Sequence, residues 1–155
     1  MHKITGQEST IPPFPIAIVV SRFNQIVTER LYTGAIKQLE HLGFASDLIT
    51  VVDVPGAVEI PIVAQRLAKK AKHEAIITLG AVIRGETSHY DYVCTQVSQG
   101  CQQVAMAYDL PVIFGVLTTE NRAQALDRVG GRHGHKGVDA VDAAIEMVTV
   151  LRKID

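Results

Sequence analysis

Apolar residues fall along this chain in two kinds of run, and the two kinds alternate. Residues 15–20 read Pro-Ile-Ala-Ile-Val-Val, a continuous β-branched stretch that suits a strand covered on both faces. From Ile26 the period changes: Val27, Leu31, Ala35, Leu39 and Leu42 recur three or four apart until Gly43 stops them, which predicts a helix. The unit then repeats. A second strand is expected over 47–52, a turn at Pro55-Gly56, and a helix over 57–70 with Ile60, Val63, Ala64, Leu67 and Ala71 along one side. Residues 75–83 make a third apolar strand, followed by a long helix from about 90 to 108. A fourth strand over 111–117 runs into Thr118-Thr119-Glu120-Asn121, which offers capping residues to a short helix reaching about 129. Residues 130–137 read Gly-Gly-Arg-His-Gly-His-Lys-Gly, a glycine-rich cationic loop, and Val138, Val141, Ile145, Val148 and Leu151 mark a last helix.

Parallel strands need crossover helices, so this alternation predicts an α/β fold, a parallel sheet between two helical layers. No linker, repeat or low-complexity segment interrupts residues 1–155, and a single domain is expected. Residues 1–14 read as an extended arm, because Pro12 and Pro13 lack the backbone donors that a central strand or helix interior uses. With 15 basic and 16 acidic residues the chain carries a net charge of -1, which supplies no field for nucleic acid or an anionic membrane. Its apolar runs are too short to cross a bilayer and it opens on no targeting pattern, so a soluble cytoplasmic protein is expected. Cys94 and Cys101 lie on one predicted helix roughly 10 Å apart, too far for a disulfide, and read as small apolar residues in a reducing compartment.

Ligands in such sheets bind beyond the carboxyl ends of the strands, which directs attention to those loops. After the first strand, Arg22, Phe23 and Asn24 put an aromatic between polar groups; it packs on the next helix or serves as a platform for a planar ring. After the second, Gly56 lets backbone approach a ligand, and Glu59 either complements a helix dipole or accepts hydrogen bonds from sugar hydroxyls. After the third, Gly85, Thr87 and Ser88 gather donors at a helix start, a natural anion site, and His89 can move protons. The spacing matches neither a nucleoside-triphosphate loop nor a dinucleotide fingerprint. Arg128, Arg132, Lys136 and the pair His133/His135 form a cationic cluster able to clamp phosphate, or simply a solvated surface. No metal site is expected there, since cations surround the histidines and no carboxylate or cysteine is adjacent. A nucleophilic pair of Cys94 with His89 is disfavoured by the absence of an orienting acid nearby in sequence.

Five blocks carry a resemblance to a known family. Ser21-Arg22-Phe23-Asn24, Val54-Pro55-Gly56-Ala57-Val58-Glu59-Ile60-Pro61, Gly80-Ala81-Val82-Ile83-Arg84-Gly85-Glu86-Thr87-Ser88-His89-Tyr90-Asp91-Tyr92-Val93, Phe114-Gly115-Val116-Leu117-Thr118-Thr119-Glu120-Asn121 and Lys136-Gly137 resemble the lumazine synthase family, in that order. The likeness runs from about residue 15 to the C-terminus. It implies a flavodoxin-like four-stranded sheet of order 2-1-3-4, in a homopentamer or larger assembly whose active sites lie between adjacent subunits. The arm would then add a strand to the neighbour's sheet. It also implies condensation of 5-amino-6-(D-ribitylamino)uracil with 3,4-dihydroxy-2-butanone 4-phosphate in riboflavin synthesis, with no cofactor and riboflavin synthase as a further partner.

By the same resemblance Phe23, with Asn24 beside it, stacks on the pyrimidine, while Gly56, Ala57, Val58 and Glu59 hold the ribityl chain. Backbone at Val82 and Ile83 reads the ring edge, and His89 transfers protons. Gly85, Glu86, Thr87 and Arg128 surround the phosphate, and Phe114 and Lys136 close the pocket from the neighbouring subunit. Glu86 departs from a family pattern that often has a small residue, and is compatible with phosphate only if it turns outward. Arg132-His133-Gly134-His135 departs from the more frequent Lys-Ala-Gly-Asn. Two other readings of the residues stand beside this one: a phosphosugar isomerase or lyase on the same fold, and a flavin-binding or shell-forming protein without catalysis.

Overall fold

The computed structural model describes residues 1–7 and 10–155. Its main sheet has four parallel strands in the order β2-β1-β3-β4: β1 Ile16–Ser21, β2 Ile49–Val54, β3 Ala75–Ile83 and β4 Val112–Thr119. Helices α1 Gln25–His41, α2 Ile60–Lys70, α3 His89–Tyr108, α4 Arg122–Leu126 and α5 Lys136–Ile154 make the crossovers and the C-terminal cover. This is the α/β arrangement expected from the alternating runs, with the strand order that the family resemblance implies.

Side-chain alternation along β1 explains the layers. Ile16 and Ile18 point into a core with Ile77, Leu79, Leu31 and Leu39 of α1, and Val141 and Val148 of α5. Ala17 and Val19 point the other way, to Ile76, Ile60 and Ala64 of α2, and Val97, Cys101 and Val104 of α3. Both faces of the strand are therefore apolar, which is why it reads as a continuous run and not as an alternation. α1 stops where Gly43 takes φ 88, a left-handed value that favours glycine.

Several boundaries differ from expectation. Ser46–Leu48 forms a 3-10 turn, so β2 begins two residues later and runs on to Val54. Ala57–Glu59 is also a 3-10 turn, and α2 proper starts at Ile60, with Pro61 in the opening positions where a missing N–H is harmless. The short helix ends at Leu126, not near 129. The expected loop beyond it contains a two-stranded antiparallel hairpin, β5 Val129–Gly131 and β6 Gly134–His135. Gly130 (φ 102) and Gly134 (φ 74) permit the tight reversal that a helical-periodicity reading does not see.

The arm also needs correction at its end. Phe14 is buried, its ring edge-on to Phe44 with centroids 5.3 Å apart, so it belongs to the core. Farther out, the Thr5 carbonyl accepts a hydrogen bond from Lys153 Nζ at 2.6 Å, which lays that stretch along α5 of the same chain. Residues 8 and 9 of the arm lie outside the described residues. Among the described residues no helix is long and apolar enough to cross a membrane.

Candidate active site

The sheet's hydrogen bonding continues past the strand ends and so fixes the loops there. Arg22 N–H donates to the Val54 carbonyl at 2.8 Å and Phe23 N–H to that of Pro55 at 3.0 Å, while Arg84 N–H reaches Thr119 at 2.9 Å. Phe23 is thereby held at the carboxyl edge with 73% of its surface exposed, unlike a packing aromatic. Asn24 adopts a left-handed backbone (φ 66), which asparagine tolerates, and its Nδ2 donates to the Ala81 carbonyl at 2.7 Å. That bond ties the start of α1 to β3. Phe23, Asn24, Ile26, Ile83 and Arg122 line one cavity of about 530 Å³.

Beside it, the turn after β2 places Ala57 in the core and leaves Val58 exposed. A Cβ on Gly56 would lie 3.4 Å from Glu59 Oε1, so the half-buried carboxylate folds back over the glycine, as a hydroxyl-accepting group there would need to do. Val82 and Ile83 end β3 in register with Thr118 and Thr119 of β4. The next five residues after Arg84, from Gly85 through His89, are exposed, and Glu86 is among them. Thr87 Oγ1 accepts from His89 N–H at 3.3 Å, so this hydroxyl helps to start α3.

What holds that loop is a set of residues absent from the expected site. Arg84 Nε donates to Glu120 Oε2 at 2.7 Å, its NH2 lies 3.5 Å from Asp91, and its guanidinium sits 4.3 Å over the Tyr90 ring. The hydrogen bond to Glu120 is the main cause raising the Arg84 pKa. Sequence patterning gave no sign of this clamp because Arg84 and Glu120 are 36 positions apart. Burial raises the pKa of the Cys94 thiol and pushes Cys101 up to about 11, so both thiols stay protonated near neutrality. That fits the reading of both as packing residues.

On the far side of β4 a second cavity, of about 450 Å³, is lined by Phe114, Thr118, Arg128, His133, Lys136 and Asp139 among others. The short α4 opens with Asn121 Oδ1 accepting from Gln124 N–H at 2.9 Å, and closes with Arg128 NH1 donating to the Gln124 carbonyl at 2.7 Å. From there the hairpin turns the chain back, and Lys136 N–H donates to the Arg128 carbonyl at 2.8 Å. Two cations eight positions apart are thus brought to the lining of one cavity. His133, a member of the expected cationic cluster, has its Nδ1 3.9 Å from Asp127 Oδ2, and Asp139 was not expected in the cavity. Phe23 and Arg128 line two different cavities. Among the described residues no group of three or more His, Cys, Asp or Glu could hold a metal ion.

Comparison with known proteins settles the relationship. The model of the 6,7-dimethyl-8-ribityllumazine synthase family matches residues 13–152. The chain belongs to the lumazine synthase family. A 6,7-dimethyl-8-ribityllumazine synthase of Coxiella burnetii strain CbuG_Q212 is 55% identical over 142 residues, which cover 92% of this chain and 94% of that protein. Those of strains RSA 493 / Nine Mile phase I and Dugway 5J108-111 match to the same extent. All five blocks that carry the resemblance fall within the span of the family match, as do both cavities at the edge of the sheet.

Proposed function

We propose that this chain condenses 5-amino-6-(D-ribitylamino)uracil with 3,4-dihydroxy-2-butanone 4-phosphate to give 6,7-dimethyl-8-ribityllumazine, phosphate and two waters. The observation that carries the reading is the division of the carboxyl edge between an exposed aromatic beside a carboxylate and a separate cavity holding two cations. Phe23 stacks on the pyrimidine, the turn from Gly56 to Glu59 holds the ribityl hydroxyls, and the backbone of Val82 and Ile83 pairs with the ring edge. Arg128 and Lys136 bind the phosphate of the ketone, together with the Gly85-Thr87 loop, and Glu86 faces solvent.

The pyrimidine amine attacks the ketone and water is lost to form an imine. Elimination then breaks the carbon–oxygen bond to phosphate, whose leaving charge the two cations offset. The resulting enol becomes a ketone, and the ribityl-bearing nitrogen closes the ring with loss of a second water. No electron transfer is required and no cofactor is invoked. Most of the acceleration comes from holding two reactants in register, with His89 relaying protons at the start of α3. Phe114, Arg128 and Lys136 of one subunit complete the Phe23 and His89 half of the next, in a cytoplasmic homopentamer.

A phosphosugar isomerase would use the cations but has no call for an exposed ring next to Glu59. Mixing the two substrates with the protein tests the reading directly. It predicts growth of the lumazine absorbance band with one phosphate released per product. Phosphate release without that band would overturn it.

A further inference from the structure

We propose that His135 is a positioning residue for the phosphate half of the site, its imidazole capping α5 and so fixing Lys136 and Arg128 as one clamp. This rests on the assignment of those two cations to phosphate. His135 has an extended backbone (φ -136, ψ 103) and stands at the N-cap of α5. Its Nδ1 accepts from Gly137 N–H at 3.1 Å and lies 3.4 Å from Val138 N, the amides that begin the helix with no partner of their own. To accept there Nδ1 must carry no proton, so the ring's proton sits on Nε2.

The ring is also keyed in place sterically. A Cβ on Gly34 of α1 would overlap it, and Cβ atoms on Gly137 and Gly130 would come within 3.1 Å and 3.6 Å of its carbons. One imidazole therefore locks α1, the hairpin turn and the start of α5 together. His135 pairs with Val129 across the hairpin, and the next residue, Lys136, gives its N–H to the Arg128 carbonyl at 2.8 Å. The two cations stand at the two ends of the hairpin, Arg128 just before β5 and Lys136 just after β6. Without the cap the first turn of α5 frays, and phosphate must order both side chains as it binds.

The test is a series at one position in the full-length assembled enzyme: His135→Asn, His135→Ser, His135→Ala and His135→Gln. Asn and Ser are good caps, Ala is not, and Gln keeps bulk and polarity without capping geometry, so a folded non-capping variant remains if Ala fails. Ala and Gln should raise the KM for the phosphorylated ketone about fivefold or more, the equivalent of one lost cap, and leave the pyrimidine KM unchanged. Asn and Ser should restore it, and amide exchange at Gly137 and Val138 should speed up only in Ala and Gln. Gly34→Ala should reproduce the KM change with His135 present and lose it in the His135→Ser background. Equal changes in both KM values, a change in kcat alone, no change, or a ranking by size in place of capping ability would each overturn the proposal. Arg128→Ala is run alongside. If it leaves the KM for the phosphorylated ketone unchanged, the phosphate assignment fails and the inference with it; if it raises KM while the His135 series stays flat, the inference alone fails.

Discussion

Where β1 and β3 end, the chain presents an aromatic ring and backbone groups on short stretches that continue the sheet's own hydrogen bonds. Beyond β4 it presents two cations at the ends of a hairpin outside that sheet, held by a helix cap and a few loop bonds. The first half is tied by backbone bonds to the core beneath it, and its cation Arg84 is paired with Glu120. The second is charged and depends on local contacts at a chain reversal. A planar neutral pyrimidine and a mobile phosphate make these opposite demands, and loss of either half should affect one substrate and spare the other.

His89→Ala sharpens that division most. It should reduce kcat by up to about a hundredfold, the low end of what a positioned acid–base group contributes, and leave measurable turnover. Complete loss in a folded enzyme would mean that proton transfer, not proximity, dominates. Arg128→Ala should raise the KM for the butanone phosphate by roughly tenfold or more through loss of a charge-assisted contact, with the pyrimidine KM unchanged in steady-state titrations. Equal effects would break the comparison. Phe23→Ala should weaken binding of the pyrimidine, or of a flavin-like analogue, by about fivefold, the equivalent of about 1 kcal/mol of stacking, as read by fluorescence or calorimetry. Unchanged affinity would reduce Phe23 to a surface residue. Cys94→Ser should change neither kcat nor either KM, because burial raises the thiol's pKa and it stays protonated near neutral pH. An appreciable loss of kcat would point to covalent chemistry.

The two halves were not equally legible in the sequence. Strand ends follow from apolar runs, so the places of Phe23, Glu59 and Ile83 could be read from periodicity and turn residues alone. The hairpin could not, because it depends on two glycines with positive φ inside a segment that looks like a cationic loop. His135 read as one more member of a cationic cluster, and only its position against Gly34 and the α5 amides shows it as a cap. The Arg84–Glu120 pair was likewise invisible, since each residue looks like ordinary loop charge until the parallel pairing of β3 and β4 brings their strand ends together. The start of α2 was misplaced because an apolar helical period reads the same through a 3-10 turn.

Whether one pocket is built from two copies of the chain is decided by complementation. A Phe23→Ala/His89→Ala chain and an Arg128→Ala chain are each impaired, and are then co-expressed so that mixed oligomers form, their composition being verified by native mass spectrometry. If the halves meet across a subunit boundary, some mixed pockets contain only unmutated residues, and activity per chain exceeds the average of the two parents. Verified mixed oligomers that show only the average of the parental activities would place Phe23, His89 and Arg128 in a single subunit's site and contradict the account.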